Sequence, residues 1–189
     1  MNKHFSILIL IIFLKSTFIS QTIESSGSGN WSDGSSWVGG IVPTNSNSVL
    51  INSGHTITIQ ANRNVYDIEV ESGAELVIDS AVTIEFKHSS GSTTIRTDLI
   101  NNGVISTPSG ASTIKIFGKV YFSGNGTFND RVRFNCPSYL YFTNSCNLTL
   151  NNILTCTGGA EVRIESGSKL TLNGQSVFRV ATLFNFGTL

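Results

Sequence analysis

The sequence predicts an all-β fold, a right-handed parallel β-helix in which the chain winds in coils. Three observations favour it: a repeated nine-residue unit, a spacing between units close to one coil, and the composition. Ser, Thr, Asn and Gly make up 81 of the 189 residues. These residue types suit turns and disfavour helix interiors. The hydrophobic content of 40% excludes a disordered polar linker.

The repeated unit consists of two pairs of alternating apolar residues with a Ser-Gly step between them. Its copies are residues 51–59, 70–78 and 164–172, and a weaker copy at 142–150 that lacks the glycine. Alternation places one face of each strand in a core, and Ser-Gly supplies a bend that tolerates positive φ. Coils that pair only with their neighbours would form a rod about 30 Å long from strands ~4.8 Å apart.

A β-sandwich is the alternative, because it also shows short strands at intervals of about 8–12 residues. The unit recurs with the same polarity, and neighbouring copies start 19 residues apart at 51 and 70. This period is close to one solenoid coil, so the parallel β-helix is the favoured interpretation.

The first 20 residues match a secretory signal peptide. Lys3 and His4 precede an apolar run at 5–14, and Ser20 is a small residue before a plausible cleavage point. The run is shorter than the ~20 residues of a membrane span. We therefore expect a secreted or cell-surface protein with no membrane association after cleavage. The loss of Lys3 and Lys15 leaves 10 basic and 12 acidic residues, which argues against a nucleic-acid partner.

Residues 21–47 are predicted to form an N-terminal cap rich in Trp and Gly, with coils following over 48–189. Trp31 and Trp37 have two interpretations: an exposed platform that binds sugar rings, or a seal over the first coil. The cap is favoured because both tryptophans come directly before that coil. At the other end, residues 183–189 look like the opening of a further coil, so the sequence predicts a solenoid that is incomplete there.

Over residues 29–118 the sequence resembles a known group. The pattern runs from Gly29-Asn30-Trp31 through Trp37-Val38-Gly39-Gly40 to Pro43, and continues at residues 73–78, 100–105 and 114–118. It is similar to the eight-glycine (G-eight) domain and related secreted parallel β-helix proteins of bacterial surfaces. The resemblance implies an extracellular location, a β-rich fold and, in some members, association with polysaccharide processing. It implies no catalytic residues.

The three cysteines stand ten residues apart, and their odd number in a secreted chain predicts one disulfide with a free thiol, or a link to a partner. Cys136 and Cys156 are 20 residues apart, about one coil, so they could pair across adjacent coils. Stacking of buried, unpaired thiols is the equal alternative. Their spacing predicts no metal site.

Carboxylates are the other candidate chemical groups. Glu69 and Glu71 are predicted on one face of a strand, with Asp67 or Glu85 near them, and a carboxylate pair is what glycoside hydrolysis needs. Solvent-facing strand residues are the favoured interpretation, because alternation turns polar groups outward by default. No phosphate loop, dinucleotide fingerprint or Asp-rich calcium loop is present in the sequence, and no cofactor is predicted.

Two functions remain open. The first is a structural, adhesin-like module without catalysis, making weak contacts to glycans or extracellular matrix. The second is a carbohydrate-active enzyme or its carbohydrate-binding portion. Charges aligned across adjacent coils in a groove would favour the second, whereas charges scattered over separate faces would favour the first.

Overall fold

The structure is a computed structural model that describes residues 20–129, 131–156, 159–173, 177–178 and 182–189. It is an all-β solenoid of about seven turns built from parallel sheets, which confirms the predicted fold over the β-sandwich. All but the last residue of the predicted signal peptide, 1–20, lies outside the described residues.

The described strands stack into three faces that run along the solenoid. The first sheet contains β1 (Thr22–Glu24), β3 (Ser48–Ile51), β6 (Asp67–Val70), β9 (Arg96–Asn101), β12 (Lys119–Ser123), β15 (Tyr139–Phe142), β18 (Glu161–Ile164) and β21 (Thr182–Asn185). The second face contains β2 (Gly29–Asn30), β4 (Thr56–Ile59), β7 (Glu75–Ile78), β10 (Val104–Ser106) and β13 (Thr127–Phe128), and then the separate pair β16 (Asn147–Leu150) and β19 (Lys169–Leu172). The third sheet contains β5 (Arg63–Val65), β8 (Thr83–Phe86), β11 (Ser112–Ile116), β14 (Val132–Cys136), β17 (Leu154–Cys156) and β20 (Val177–Phe178).

The core lies inside the three faces and is built by the alternation seen in the sequence. On β6, for example, Ile68 and Val70 are buried while Asp67 and Glu69 are partly exposed. The parallel register places apolar residues of neighbouring coils beside one another. Ile68, for example, lies between Val49 and Leu99. Each inward column is therefore a continuous apolar stack, and each outward column is a row of polar side chains.

The Ser-Gly step of the repeated unit forms the turn between the first and second faces. Its glycines adopt almost the same positive φ: 82° at Gly54, 82° at Gly73 and 81° at Gly167. In the weaker copy Ser145 occupies the glycine position with φ 56°, following Asn144 at the same value. The turn geometry is thus retained where the glycine is lost.

Two long corners interrupt the short turns. The cap segment loops out between β2 and β3 through two short 3-10 turns (Gly34–Ser36 and Val38–Gly40), and a second loop spans residues 87–95 between β8 and β9. Parallel pairing also begins before residue 48, because β1 pairs with β3 and β2 with β4. The cap segment therefore contributes a first partial coil as well as a loop over the end of the core.

Candidate functional site

The tryptophans lie at the N-terminal end of the core. The Trp31 and Trp37 side chains are 1% and 2% exposed, and their rings meet edge to face with centroids 5.1 Å apart. Trp37 Nε1 donates to the Trp31 carbonyl at 2.7 Å. No open ring face remains for a sugar to stack on, so these contacts support the cap and do not support the sugar platform.

The cap loop also forms a wall beside the third sheet. Trp31 Nε1 donates to the Pro43 carbonyl at 3.3 Å, which ties the loop to the cap core. Asn47 Oδ1 accepts from the Thr44 backbone N–H at 2.9 Å, and the Asn45 carbonyl accepts from the Ser89 N–H at 3.1 Å. The wall is therefore fixed at both ends, by the tryptophan on one side and by the 87–95 loop on the other.

Between this wall and the outer face of the third sheet lies a groove of about 740 Å³. We call it the cap groove. Its lining residues are Val42, Pro43, Thr44 and Asn45 of the wall and Asn62, Arg63, Asn64, Thr83, Glu85 and Lys115 of the sheet and its edge. The volume falls within the range of small-molecule sites, and the lining is mostly amides, hydroxyls and charges.

Charge in the cap groove is unbalanced. Glu85 and Lys115 are side by side on β8 and β11, and Lys115 Nζ lies 2.8 Å from Glu85 Oε1. Arg63 is the remaining charge in the lining, and no described carboxylate lies within 4.0 Å of its guanidinium. The groove thus carries one positive charge that the described residues do not neutralise.

Arg63 has an unusual place in the fold. Its register partner on β8 is the buried Ile84, so Arg63 occupies a core-facing position on the edge strand of the third sheet. The guanidinium lies 5.3 Å from the Trp31 ring centroid, and Nη2 donates to Ser32 Oγ at 2.8 Å. Its Nε is buried and has no hydrogen-bond partner, and burial lowers the pKa of the Arg63 guanidinium.

A second concavity, of about 360 Å³, lies on the outer face of the first sheet. The Asp67 and Asp98 side chains are neighbours in one outward column there. Asp67 accepts from the Asp98 backbone N–H at 2.8 Å and from Ser48 Oγ at 3.0 Å, while Asp98 is bound by Arg96 Nε at 2.9 Å. Burial raises the pKa of Asp67.

The same column continues from Asp98 through Tyr121, Tyr141 and Arg163, and Arg96 reaches it from the neighbouring outward column. We call these last three residues and Arg96 the aromatic ladder. The two tyrosine rings stack with centroids 4.6 Å apart and planes 15° apart. Arg96 lies 4.1 Å from the Tyr121 centroid, and Arg163 lies 5.9 Å from that of Tyr141. Ring faces are occupied within the stack, so the ladder stiffens the sheet and leaves ring edges to solvent.

The carboxylates singled out in the sequence are spread over different faces. Glu69 faces outward on β6, and Glu71 follows the strand in the turn, where it accepts from the Ser53 N–H at 2.8 Å. These two line a shallow depression of about 680 Å³ with Ser72, Asn102 and Asn125. Glu85 lies on the third sheet in the cap groove. Asp67 was among the predicted carboxylates, but its neighbour Asp98 was missed, because the long corner between them hides their register.

Cys136 and Cys156 are direct register partners on β14 and β17, as their spacing predicted. Both are buried and both are free thiols in this structure, as is Cys146. Cys136 Sγ donates to the Ser138 carbonyl at 3.5 Å. The hydrogen bond between the two thiols, together with burial, raises the pKa of Cys156. The disulfide remains a prediction.

His55 lies in the turn before β4 and contacts a buried serine of the first coil. Its Nδ1 lies 2.7 Å from Ser25 Oγ, which also accepts from the Asn52 N–H at 2.9 Å. Ser25 is 1% exposed, so its hydroxyl cannot be approached by a substrate. The pair joins the first coil to the turn before β4 and is not a nucleophile with its base.

Among the described residues, no group of three or more His, Cys, Asp or Glu side chains is gathered to hold a metal ion. No helix in that part of the chain is long and apolar enough to cross a membrane.

Comparison with known proteins adds no relative: no protein-family model, no curated protein and no solved structure matches this chain.

Proposed function

We propose that this chain is a secreted or cell-surface structural module, an adhesin-like β-solenoid that makes weak contacts with glycans or matrix and has no catalysis of its own. The observation that carries the proposal is the first sheet, in which eight parallel strands pair in sequence along the rod. Such a sheet gives a stiff spacer whose outward columns repeat at each coil. The resemblance to eight-glycine domains supports the same location.

The disposition of charge supports a binding surface more than an active site. Asp67 has both oxygens engaged, Asp98 is held by Arg96, and Glu85 is held by Lys115. Carboxylates that already have hydrogen-bond or ion-pair partners do not provide the free acid and free nucleophile that must flank one glycosidic bond.

A carbohydrate-active role is the second candidate, and the adjacency of Asp67 and Asp98 beside a groove is the observation that favours it. The two candidates can be distinguished because an enzyme would convert the bound glycan to product, whereas a structural module would leave it intact.

Export tests the first proposal. The full chain, expressed in a bacterial host with its own N-terminus, is expected outside the cytoplasm, with Gln21 as the first residue by mass spectrometry. A charge within the apolar run opposes entry into the export pathway, so Leu10→Arg should keep the chain inside and unprocessed. Leu10→Ile is the matched control and should be exported normally. A wild-type chain that stays in the cytoplasm with residues 1–20 intact would contradict the proposed location.

A further inference from the structure

The cap groove combines a concavity, an uncompensated positive charge and a polar lining. The groove has about 740 Å³ of space, and Arg63 is its unpaired charge. The concavity on the outer face of the first sheet has an acidic lining, because it contains Asp67, Glu69 and Asp98 with one arginine. The shallow depression described above is lined by Glu69 and Glu71 and by no basic residue.

We propose that the cap groove binds an acidic oligosaccharide, with Arg63 pairing with a carboxylate or sulfate group of the sugar. The inference rests on the proposed glycan contacts and specifies their site and ligand class. The Arg63 guanidinium is only partly buried, lines the groove and has no described carboxylate within 4.0 Å, so it can donate to an incoming anion. Its planar fork matches a carboxylate, and a partly desolvated site strengthens the pairing.

The remaining lining suits the neutral part of a sugar. Asn64 is exposed on the groove floor, and Asn62 holds the adjacent Thr83 N–H through its Oδ1 at 2.8 Å. Thr44 and Asn45 face them from the wall. Amide and hydroxyl groups of this kind hydrogen-bond to ring hydroxyls, whereas Arg63 selects for charge.

The tryptophan cap has a role in this site without touching the ligand. Trp31 holds the wall through Pro43, and its ring lies beside the Arg63 guanidinium. Trp31 therefore positions both the wall and the Arg63 side of the cap groove. The cap then shapes the groove in addition to covering the end of the core.

Calorimetry with a matched pair of probes tests the proposal. Hexagalacturonate and its fully methyl-esterified form share the same sugars and differ in charge; a sulfated hexasaccharide distinguishes sulfate from carboxylate. We expect the folded chain to bind at least one acidic probe, to bind the ester at least about tenfold more weakly, and to lose affinity as salt rises. Equal binding of acid and ester would overturn the assignment while leaving glycan contact intact. Failure of every probe to bind would overturn both this inference and the glycan contacts of the proposed function, but not the export result.

Variants locate the site. Arg63→Met keeps the length and apolar packing of the side chain and should weaken acidic binding roughly tenfold or more, as expected for loss of a charge-assisted bond. Arg133→Met is the control, because Arg133 is exposed on β14 of the same sheet and does not line the groove. Affinity unchanged in Arg63→Met, or lost equally in Arg133→Met, would overturn the proposal. If Arg63→Met fails to fold, Arg63→Lys replaces it and should retain charge selectivity with lower affinity.

The same samples separate binding from catalysis. Hexagalacturonate recovered intact after incubation supports a binding site, whereas its cleavage would overturn the assignment of the cap groove as a binding site without turnover and favour the carbohydrate-active candidate.

Discussion

Close packing at the corners of the coils restricts which residue types can occupy individual positions. At Gly103, which precedes β10, an added Cβ would lie 2.3 Å from the Ala74 carbonyl oxygen and 2.4 Å from that of Glu71. Both contacts are to backbone, which cannot move aside as a flexible side chain would. The Asn101 side chain completes this corner by accepting from the Gly103 N–H at 3.2 Å and donating to the Thr127 carbonyl at 3.1 Å. A buried asparagine and a glycine together turn the chain where no larger residue fits.

Gly103→Ala should therefore destabilise the protein by about 1–3 kcal/mol or more, because the methyl group forces backbone apart in a packed corner. The measurement is the free energy of unfolding from urea denaturation. Gly27→Ala is the control, since no atom lies within 4 Å of its added Cβ and its φ is not positive, and it should stay within about 0.5 kcal/mol. Equal effects of the two substitutions would contradict the packing argument.

Single elements of this fold could be predicted from the sequence to different degrees. Alternating apolar residues predicted strands at β4, β7 and β16, and the structure confirms them. The Ser-Gly step predicted turns with positive φ, which the structure also confirms. The register of Asp98 beside Asp67 could not be predicted, because the 87–95 loop makes that coil longer than the repeat. Arg63 could not be recognised as a site residue from the sequence either, because its contact with Trp31 and its place in the groove depend on the cap loop and not on the pattern of its own strand.

On the first sheet, the pKa of Tyr141 in the aromatic ladder is raised. Burial, the Glu161 charge and the neighbouring Tyr121 raise the pKa of Tyr141 to about 12, from an ordinary value near 10. A raised folded pKa means that the native state holds this proton more tightly than the unfolded chain does. The stability associated with Tyr141 is therefore fully present below about pH 10 and is lost as pH rises from there towards 12.

Ultraviolet titration of the phenolates should show an absorbance step near pH 12 that Tyr141→Phe removes. The same variant should lose less stability than the wild type between pH 10 and 12 in parallel urea denaturations, because it has no phenol to titrate. A step that persists in Tyr141→Phe would show that the late proton belongs to another group.

At the scale of the whole molecule, each coil is supported only by the coils beside it. Stability in such a solenoid is close to a sum of coil terms and neighbour terms, so position along the rod matters. Leu99 on β9 lies between Ile68 and Phe122 in its inward column, whereas Ile23 on β1 has one register partner among the described residues, Val49. Central coils should therefore be more sensitive to lost packing than the first.

Leu99→Ala should cost about 2–5 kcal/mol, because the cavity forms where neighbours on both sides are held in register. Ile23→Ala removes a side chain of similar size at the edge, where relaxation is easier, and should cost less. Urea denaturation measures both, and amide hydrogen exchange in Leu99→Ala should quicken in β6 and β12. An equal or greater cost for Ile23→Ala would contradict the neighbour model.

The Asp67 contacts show that residues in adjacent coils stay aligned even when the coils differ in length. Asp67 accepts from Ser48, 19 residues before it, and from Asp98, 31 residues after it, yet all three occupy one column. Insertions of unequal length are absorbed at the corners, and the columns stay aligned. Such a chain can acquire a new surface loop through one insertion while its core remains unchanged. The wall of the cap groove is a loop of this type, so a groove of new shape needs only a different corner beside the same sheet.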